Sequence, residues 1–202
     1  MTKYETVRKK IKTGDLVLFS GKGGISHGIK LVTNSKWSHI GMALKLSESG
    51  AIFLWESTTL SNLKDAIDGK SKRGVQLVLL SDRLRTYKGK KSVRHLKYTI
   101  KEKEYLKLMR FREKVKNRPY EKSKLELIKA AYDGPLGHNE EDLSSLFCSE
   151  LVAEAYQQIG LLKSPPKGLP SNEYTPKDFT EDKGLVLEKG ATLGAEIKLA
   201  KL

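Results

Sequence analysis

The chain has 202 residues, which suits one domain with a real core and not two independent ones, and 38 Lys and Arg against 24 Asp and Glu give a net charge of +14. That balance favours anionic partners in general, whether nucleic acid, lipid headgroups or acidic substrates, without choosing among them. A hydrophobic fraction of 38% gathered in clear blocks argues against disorder, a single cysteine excludes an internal disulfide, and no stretch approaches a membrane span.

Residues 1–15 are too charged to hold the apolar core of a secretory signal, so the expected location is cytoplasmic. Gly14-Asp15 followed by Leu16-Val17-Leu18-Phe19-Ser20 reads as a turn into a short buried strand, ended by Gly21-Lys22-Gly23-Gly24. That glycine run lacks the P-loop spacing and its terminal Lys-Ser/Thr, so a plain turn is the expectation. Residues 37–46 and 51–57 read as two strands around the polar turn Ser47-Glu48-Ser49-Gly50. An even-length loop pairs Leu44 with Phe53, Met42 with Trp55 and Gly41 with Glu56. Ile40, Met42, Leu44, Phe53 and Trp55 then form a core face. The opposite face carries His39, Gly41 and Glu56, with His39 diagonal to Glu56 at roughly 7–8 Å between backbone positions and Gly41 leaving the space between them open.

Residues 74–80 read as another buried strand and 92–98 as a more polar one. A helix is predicted over 101–117, with Tyr105, Leu106, Met109, Phe111 and Val115 as its apolar positions. Asn117-Arg118-Pro119 interrupts it, a second helical stretch runs over about 122–132, and Gly134-Pro135-Leu136-Gly137 is a break. The last helix, about 147–161, lines up Cys148, Leu151, Val152, Ala155, Tyr156 and Ile159 on one stripe, so the thiol points into the protein body. From Ser164-Pro165-Pro166 an irregular tail is expected.

The one cysteine falls at the start of that helix, where free backbone N–H groups and the helix dipole favour a thiolate. A thiol nucleophile needs a histidine to accept and return its proton and a third polar group to orient the imidazole, and Cys148, His39 and Glu56 fill those roles. The backbone N–H of Cys148 is a natural oxyanion donor. Taken by spacing alone, a lone buried cysteine is more often a small apolar core residue, a strand histidine is also read as one satisfied by a backbone carbonyl, and Glu56 also reads as an exposed cross-strand charge partner. His27, His95 and His138 are spare candidates for the base; they show no mutual metal-ligand spacing, so neither a metal site nor a cofactor is expected.

Gly14-Asp15-Leu16-Val17-Leu18-Phe19, Trp37-Ser38-His39-Ile40-Gly41-Met42, Trp55-Glu56-Ser57 and Phe147-Cys148-Ser149-Glu150-Leu151-Val152, with Tyr156 and Gly160-Leu161, resemble the circularly permuted NlpC/P60 papain-like family of the YiiX and poxvirus type. In ordinary papain-like enzymes the cysteine precedes the histidine; here His39 and Glu56 precede Cys148, as in the permuted group. The resemblance runs over about 14–161, and Thr175-Pro176-Lys177-Asp178 is similar to the family's closing segment. It implies one domain over 1–202 with a core of about 14–180, and an α+β fold whose antiparallel sheet packs on a cysteine-bearing helix. It also implies the catalytic set Cys148, His39 and Glu56. Tyr120, in Arg118-Pro119-Tyr120, matches a tyrosine that members place before the cysteine helix, and with Trp37 is the expected substrate-side residue; Tyr120 also fits a boundary aromatic packing on the core.

The resemblance implies a thiol hydrolase or acyltransferase acting on an amide or ester through a thioester. Peptide-like amides and N-acyl or lipid conjugates compete as substrates. Phe147-Cys148-Ser149-Glu150 departs from the Asn-Cys-Glu-His pattern of the lecithin:retinol acyltransferase group, and the charged N-terminus argues against mature cell-wall substrates. The alternative is a non-enzymatic module using the basic region between Lys88 and Lys129 to hold nucleic acid or anionic membrane. A solvated helix face explains those lysines more cheaply, so no specific nucleic acid is expected, and peripheral membrane contact stays open.

Overall fold

The computed structural model describes residues 1–21, 35–46, 50–118 and 145–200. Its architecture is α+β: a six-stranded, wholly antiparallel sheet with helices on both faces. The sheet comprises β1 (Leu16–Gly21), β2 (His39–Lys45), β3 (Ile52–Thr58), β4 (Gly74–Leu79), β5 (Gly89–Arg94) and β8 (Ile197–Lys198), in the spatial order β4-β3-β2-β1-β5-β8. A second, two-stranded sheet pairs β6 (Leu96–Lys97) with β7 (Thr192–Leu193).

Side-chain alternation divides the core in two. Leu16 and Leu18 of β1, Ile40, Met42 and Leu44 of β2, and Trp55 of β3 point to one face. There they meet α3 (Glu102–Val115), α4 (Ser145–Gln158) and the C-terminal segment. Val17, Phe19, Ala43, Ile52, Leu54 and Val78 point to the other, against Tyr4 and Val7 of α1 (Tyr4–Arg8) and Leu80 and Leu84 of α2 (Leu80–Thr86). Met42 pairs with Trp55 and Leu44 with Phe53, the register expected from an even-length loop. Alternation is strict enough that a one-residue slip would have turned His39 to the wrong side.

The α4 stripe is as expected: Cys148, Leu151, Val152, Ala155, Tyr156 and Ile159 are all buried. The α3 stripe is rotated from its expected position, because Leu108 joins Phe111 and Val115 in the core while Leu106 is exposed. The polar strand expected over 92–98 begins at Gly89, where β5 matches β1 along its whole length, and stops at Arg94 before the separate β6. The tail is more ordered than its composition suggests, with 3-10 turns at Ser171–Glu173, Pro176–Phe179 and Glu181–Lys183 before β7 and β8. Its order comes from long-range pairing, Val93 with Ile197 and Thr2 with Leu199, which local pattern cannot reveal. Arg94 adds to this, donating from Nε to Gly194 O at 2.7 Å, from Nη1 to Phe179 O at 2.8 Å and from Nη2 to Leu193 O at 3.0 Å. The Gly21–Gly24 turn beyond Gly21 itself, residues 47–49 of the hairpin turn, Tyr120, the helix of 122–132, the break at 134–137, His27 and His138 lie outside the described residues.

Candidate active site

His39 is the first residue of β2 and stands opposite Phe19 of β1. The strand start is pinned on both sides, by Ser38 N donating to Phe19 O at 2.9 Å and by Gly21 N donating to Ser38 Oγ at 3.1 Å. The Phe19 ring lies 5.4 Å from the imidazole, with Tyr87 packed on Phe19 at 4.8 Å, so one side of His39 is walled by aromatic carbon. Its Nε2 sits 2.7 Å from Glu56 Oε2. The diagonal His39–Glu56 pair anticipated across the hairpin is therefore formed, and both residues are buried.

Glu56 Oε1 is held from the other side. It accepts from Arg83 Nε at 2.8 Å and from Gln76 Nε2 at 3.0 Å. Arg83 Nη2 comes to 2.7 Å from the same oxygen but off the hydrogen-bonding direction, so Nε is the aligned donor. Arg83 Nη1 donates to Asn62 Oδ1 at 2.8 Å. Burial pushes the Glu56 carboxyl up, but the Arg83 charge and the hydrogen bond and charge of His39 outweigh it and hold it down to about 2. For His39 burial pushes the imidazole down, and the charge and hydrogen bond of Cys148, followed by those of Glu56, raise it to about 9. At neutral pH His39 is thus an imidazolium paired with the Glu56 carboxylate, and with Nε2 on Glu56, Nδ1 is the nitrogen left for the sulfur.

Cys148 is supplied by α4, in its first described turn, and is fully buried. The helix is fixed by hydrogen bonds outside its own backbone. Ser149 Oγ donates to Tyr174 O at 2.6 Å and Tyr156 Oη to Gly14 O at 2.8 Å. The Thr175-Pro176-Lys177-Asp178 segment that follows Tyr174 is itself clamped, Thr175 N and Oγ1 both donating to Asp178 Oδ2 at 2.8 Å. Gly14, Tyr156 and the segment around Tyr174–Asp178 thus hold the cysteine-bearing helix in place.

Two expected features sit differently. The space over Gly41 is not open towards the site: a Cβ there would lie 2.7 Å from Leu54 Cδ1 and 3.1 Å from Trp55 O. The glycine is needed because Leu54 fills that space. Trp37, expected on the substrate side, is buried in the core, and its indole N–H donates to Glu196 Oε1 at 3.0 Å. Of the spare histidines, His95 is tied at the opposite end of β1, with Nδ1 2.6 Å from Asp15 Oδ2. Asp15 also accepts from Leu96 N and Lys12 N, which makes this pair part of a turn.

Arg83, Gln76 and Asn62 escaped sequence reasoning, although two of them leave a signal. Gln76 interrupts the apolar run Val75-Gln76-Leu77, and the β3–β4 register puts it opposite Glu56. Arg83 shares a helical face with Leu80 and Leu84, and a cation on an apolar stripe implies a buried carboxylate. Among the described residues no group of three or more His, Cys, Asp or Glu is placed to hold a metal ion, and no helix is long and apolar enough to cross a membrane.

No family model and no curated protein matches the chain. Among solved structures, it is similar to the one described as the metalloprotein yiiX from Escherichia coli O157:H7, at 18% identity and a TM-score of 0.49, over 95% of this chain and 97% of that one.

Proposed function

We propose that the protein is a thiol hydrolase or acyltransferase of circularly permuted papain-like type, with Cys148 as nucleophile, His39 as proton carrier and Glu56 as the group that orients and charges the imidazole. The observation that carries the reading is the buried chain of contacts from Glu56 to His39 to Cys148, which joins the β2–β3 hairpin to a helix about a hundred residues further along the chain. The Cys148 thiolate attacks the substrate carbonyl carbon, the carbonyl π electrons move to oxygen, and the backbone N–H of Cys148 is the proposed donor to that oxyanion. Collapse of the tetrahedral adduct expels the amine or alcohol, which takes the Nδ1 proton of His39, and leaves a thioester. Water, or another acceptor hydroxyl or amine, then gives its proton to Nδ1 as it attacks the thioester, and the acid or the new acyl product departs as the thiolate and imidazolium return. Peptide-like amides and N-acyl or lipid conjugates are the two substrate classes.

Intact mass after incubation with activated acyl esters, N-acyl amino acids and short peptides tests the reading. The expected result is an acyl adduct that is absent in Cys148→Ala, and turnover reduced about 10²–10⁴-fold in His39→Ala. An adduct that persists in Cys148→Ala would refute it. A second reading, a basic binding module, draws on the outer side of α3, where Lys103, Lys107, Arg110 and Lys114 are exposed and interleaved with Glu102, Leu106 and Glu113. It predicts nucleic-acid or anionic-vesicle binding that falls steeply with salt, with no acyl chemistry.

A further inference from the structure

Burying a guanidinium on α2 is not what packing requires. Arg83 occupies a position flanked on the same helical face by Leu80 and Leu84, and its side chain is fully buried. An apolar residue of similar size would fill that space without the desolvation cost of an ion, and buried ion pairs are commonly no more stabilising than such a replacement. What the arginine does instead is act on one carboxylate oxygen. Together with Gln76 it occupies Glu56 Oε1, which leaves Oε2 facing His39.

The charges alternate along the chain of contacts: Arg83 positive, Glu56 negative, His39 positive and Cys148 negative once ionised. The groups facing Glu56 are Arg83 from α2, His39 from β2 and the neutral Gln76 from β4, with Cys148 of α4 beyond the imidazole. With Arg83 the four sum to zero. Without it, the remaining three carry a net negative charge in a region from which water is excluded.

We propose that Arg83 is a positioning residue of this site: by fixing Glu56 as an ionised carboxylate with Oε2 turned to His39, it sustains the imidazolium–thiolate pair on Cys148. The proposal rests on Cys148 being the nucleophile. The direction of its effect is the same by either route. If Glu56 stays ionised when Arg83 is lost, the uncompensated negative charge draws a proton back to the sulfur at a higher pH. If Glu56 itself takes the proton, His39 loses the anionic acceptor that keeps it charged, and the pair relaxes to neutral thiol and imidazole.

The test is the ultraviolet thiolate absorbance of Cys148 followed from acid to alkaline pH, which needs no substrate, with Cys148→Ala as the blank. In Arg83→Met the thiolate is expected to appear about one pH unit higher than in wild type, or more. Arg83→Lys keeps the charge but loses the fork, and recovers part of that shift. Asn62→Ala, an exposed substitution that frees only Nη1 of Arg83, moves the midpoint the same way by less. If Arg83→Met fails to fold, the lysine and Asn62 variants carry the decision. Folded variants whose midpoints all coincide with wild type would overturn the role of Arg83. His39→Gln separates the two levels: a midpoint indifferent to His39 removes the catalytic pair itself, whereas one that responds to His39 but not to Arg83 removes only the role of the arginine.

Discussion

His39 is the residue on which the site turns, because its protonation is set by two neighbours that a substitution can remove separately. Burial opposes the imidazolium, while the charge and hydrogen bond of Cys148 and then of Glu56 restore it and raise the group to about 9. The leaving group can be protonated only while that proton is present. Activity is therefore expected to fall as pH rises through about 9. Glu56→Gln keeps the shape but takes away the charge and leaves the Arg83 cation facing a neutral amide, so the alkaline limb should move down by about one unit or more. A profile of kcat against pH in the two proteins checks both statements; a limb that stays in place would mean that Glu56 does not govern the imidazole. The His39–Glu56 relation is legible in the amino-acid sequence because it needs only strand alternation and one hairpin register. Arg83 is not, since it reaches the carboxylate from a seven-residue helix whose amphipathic stripe is too short to stand out. The sequence offers an arginine between leucines there, and only burial turns that into a partner for Glu56.

At the scale of elements, the face of the β2–β3 hairpin that carries His39 and Glu56 is packed tightly at Gly41. Its absent Cβ leaves room for Leu54, which is fully buried. In Gly41→Ala the new methyl would lie 2.7 Å from Leu54 Cδ1 and 3.0 Å from Cγ, so the leucine must move in a core with no solvent side to yield to. Overpacking of this kind costs about 1–3 kcal/mol. Thermal unfolding of Gly41→Ala should show that loss. In a Leu54→Ala background the same substitution should cost less, because the clashing atoms are gone and the two sites are coupled. Additive losses would show that something other than the Leu54 contact demands the glycine. The strands and the hairpin register could be read because each depends on a period of two within a few residues. The α3 face and the ordered tail could not: the first is decided by which of Leu106 and Leu108 meets Trp55 and the rest of the core, and the second by pairing with β5 and by three carbonyls gathered on Arg94.

For the whole molecule, the same buried carboxylate links the site to acid stability. Glu56 titrates near its ordinary value of 4.5 when unfolded and at about 2 in the folded protein, where Arg83 and His39 overcome burial. A carboxyl held below its unfolded value binds fewer protons in the native state, so its contribution is fully present above about 4.5 and is lost as pH falls through about 2. His39 does not blur this window, since below its ordinary value of 6.5 it is protonated in both states. Other carboxylates add their own acid dependence, among them Glu104, where burial is outweighed by the hydrogen bond of Lys189 and those of Lys101 N and Tyr98. Their effect is common to wild type and a Glu56 variant, and cancels in the difference. Denaturant midpoints should therefore separate wild type from Glu56→Gln most widely above pH 4.5, where the variant is less stable because it leaves the Arg83 charge buried without a partner. The two curves should converge as pH drops towards 2 and Glu56 in the wild type takes up its proton. Curves that stay parallel from neutral to acid pH would mean that Glu56 does not change its protonation on unfolding, and that Arg83 and His39 do not hold the folded carboxyl below its ordinary value.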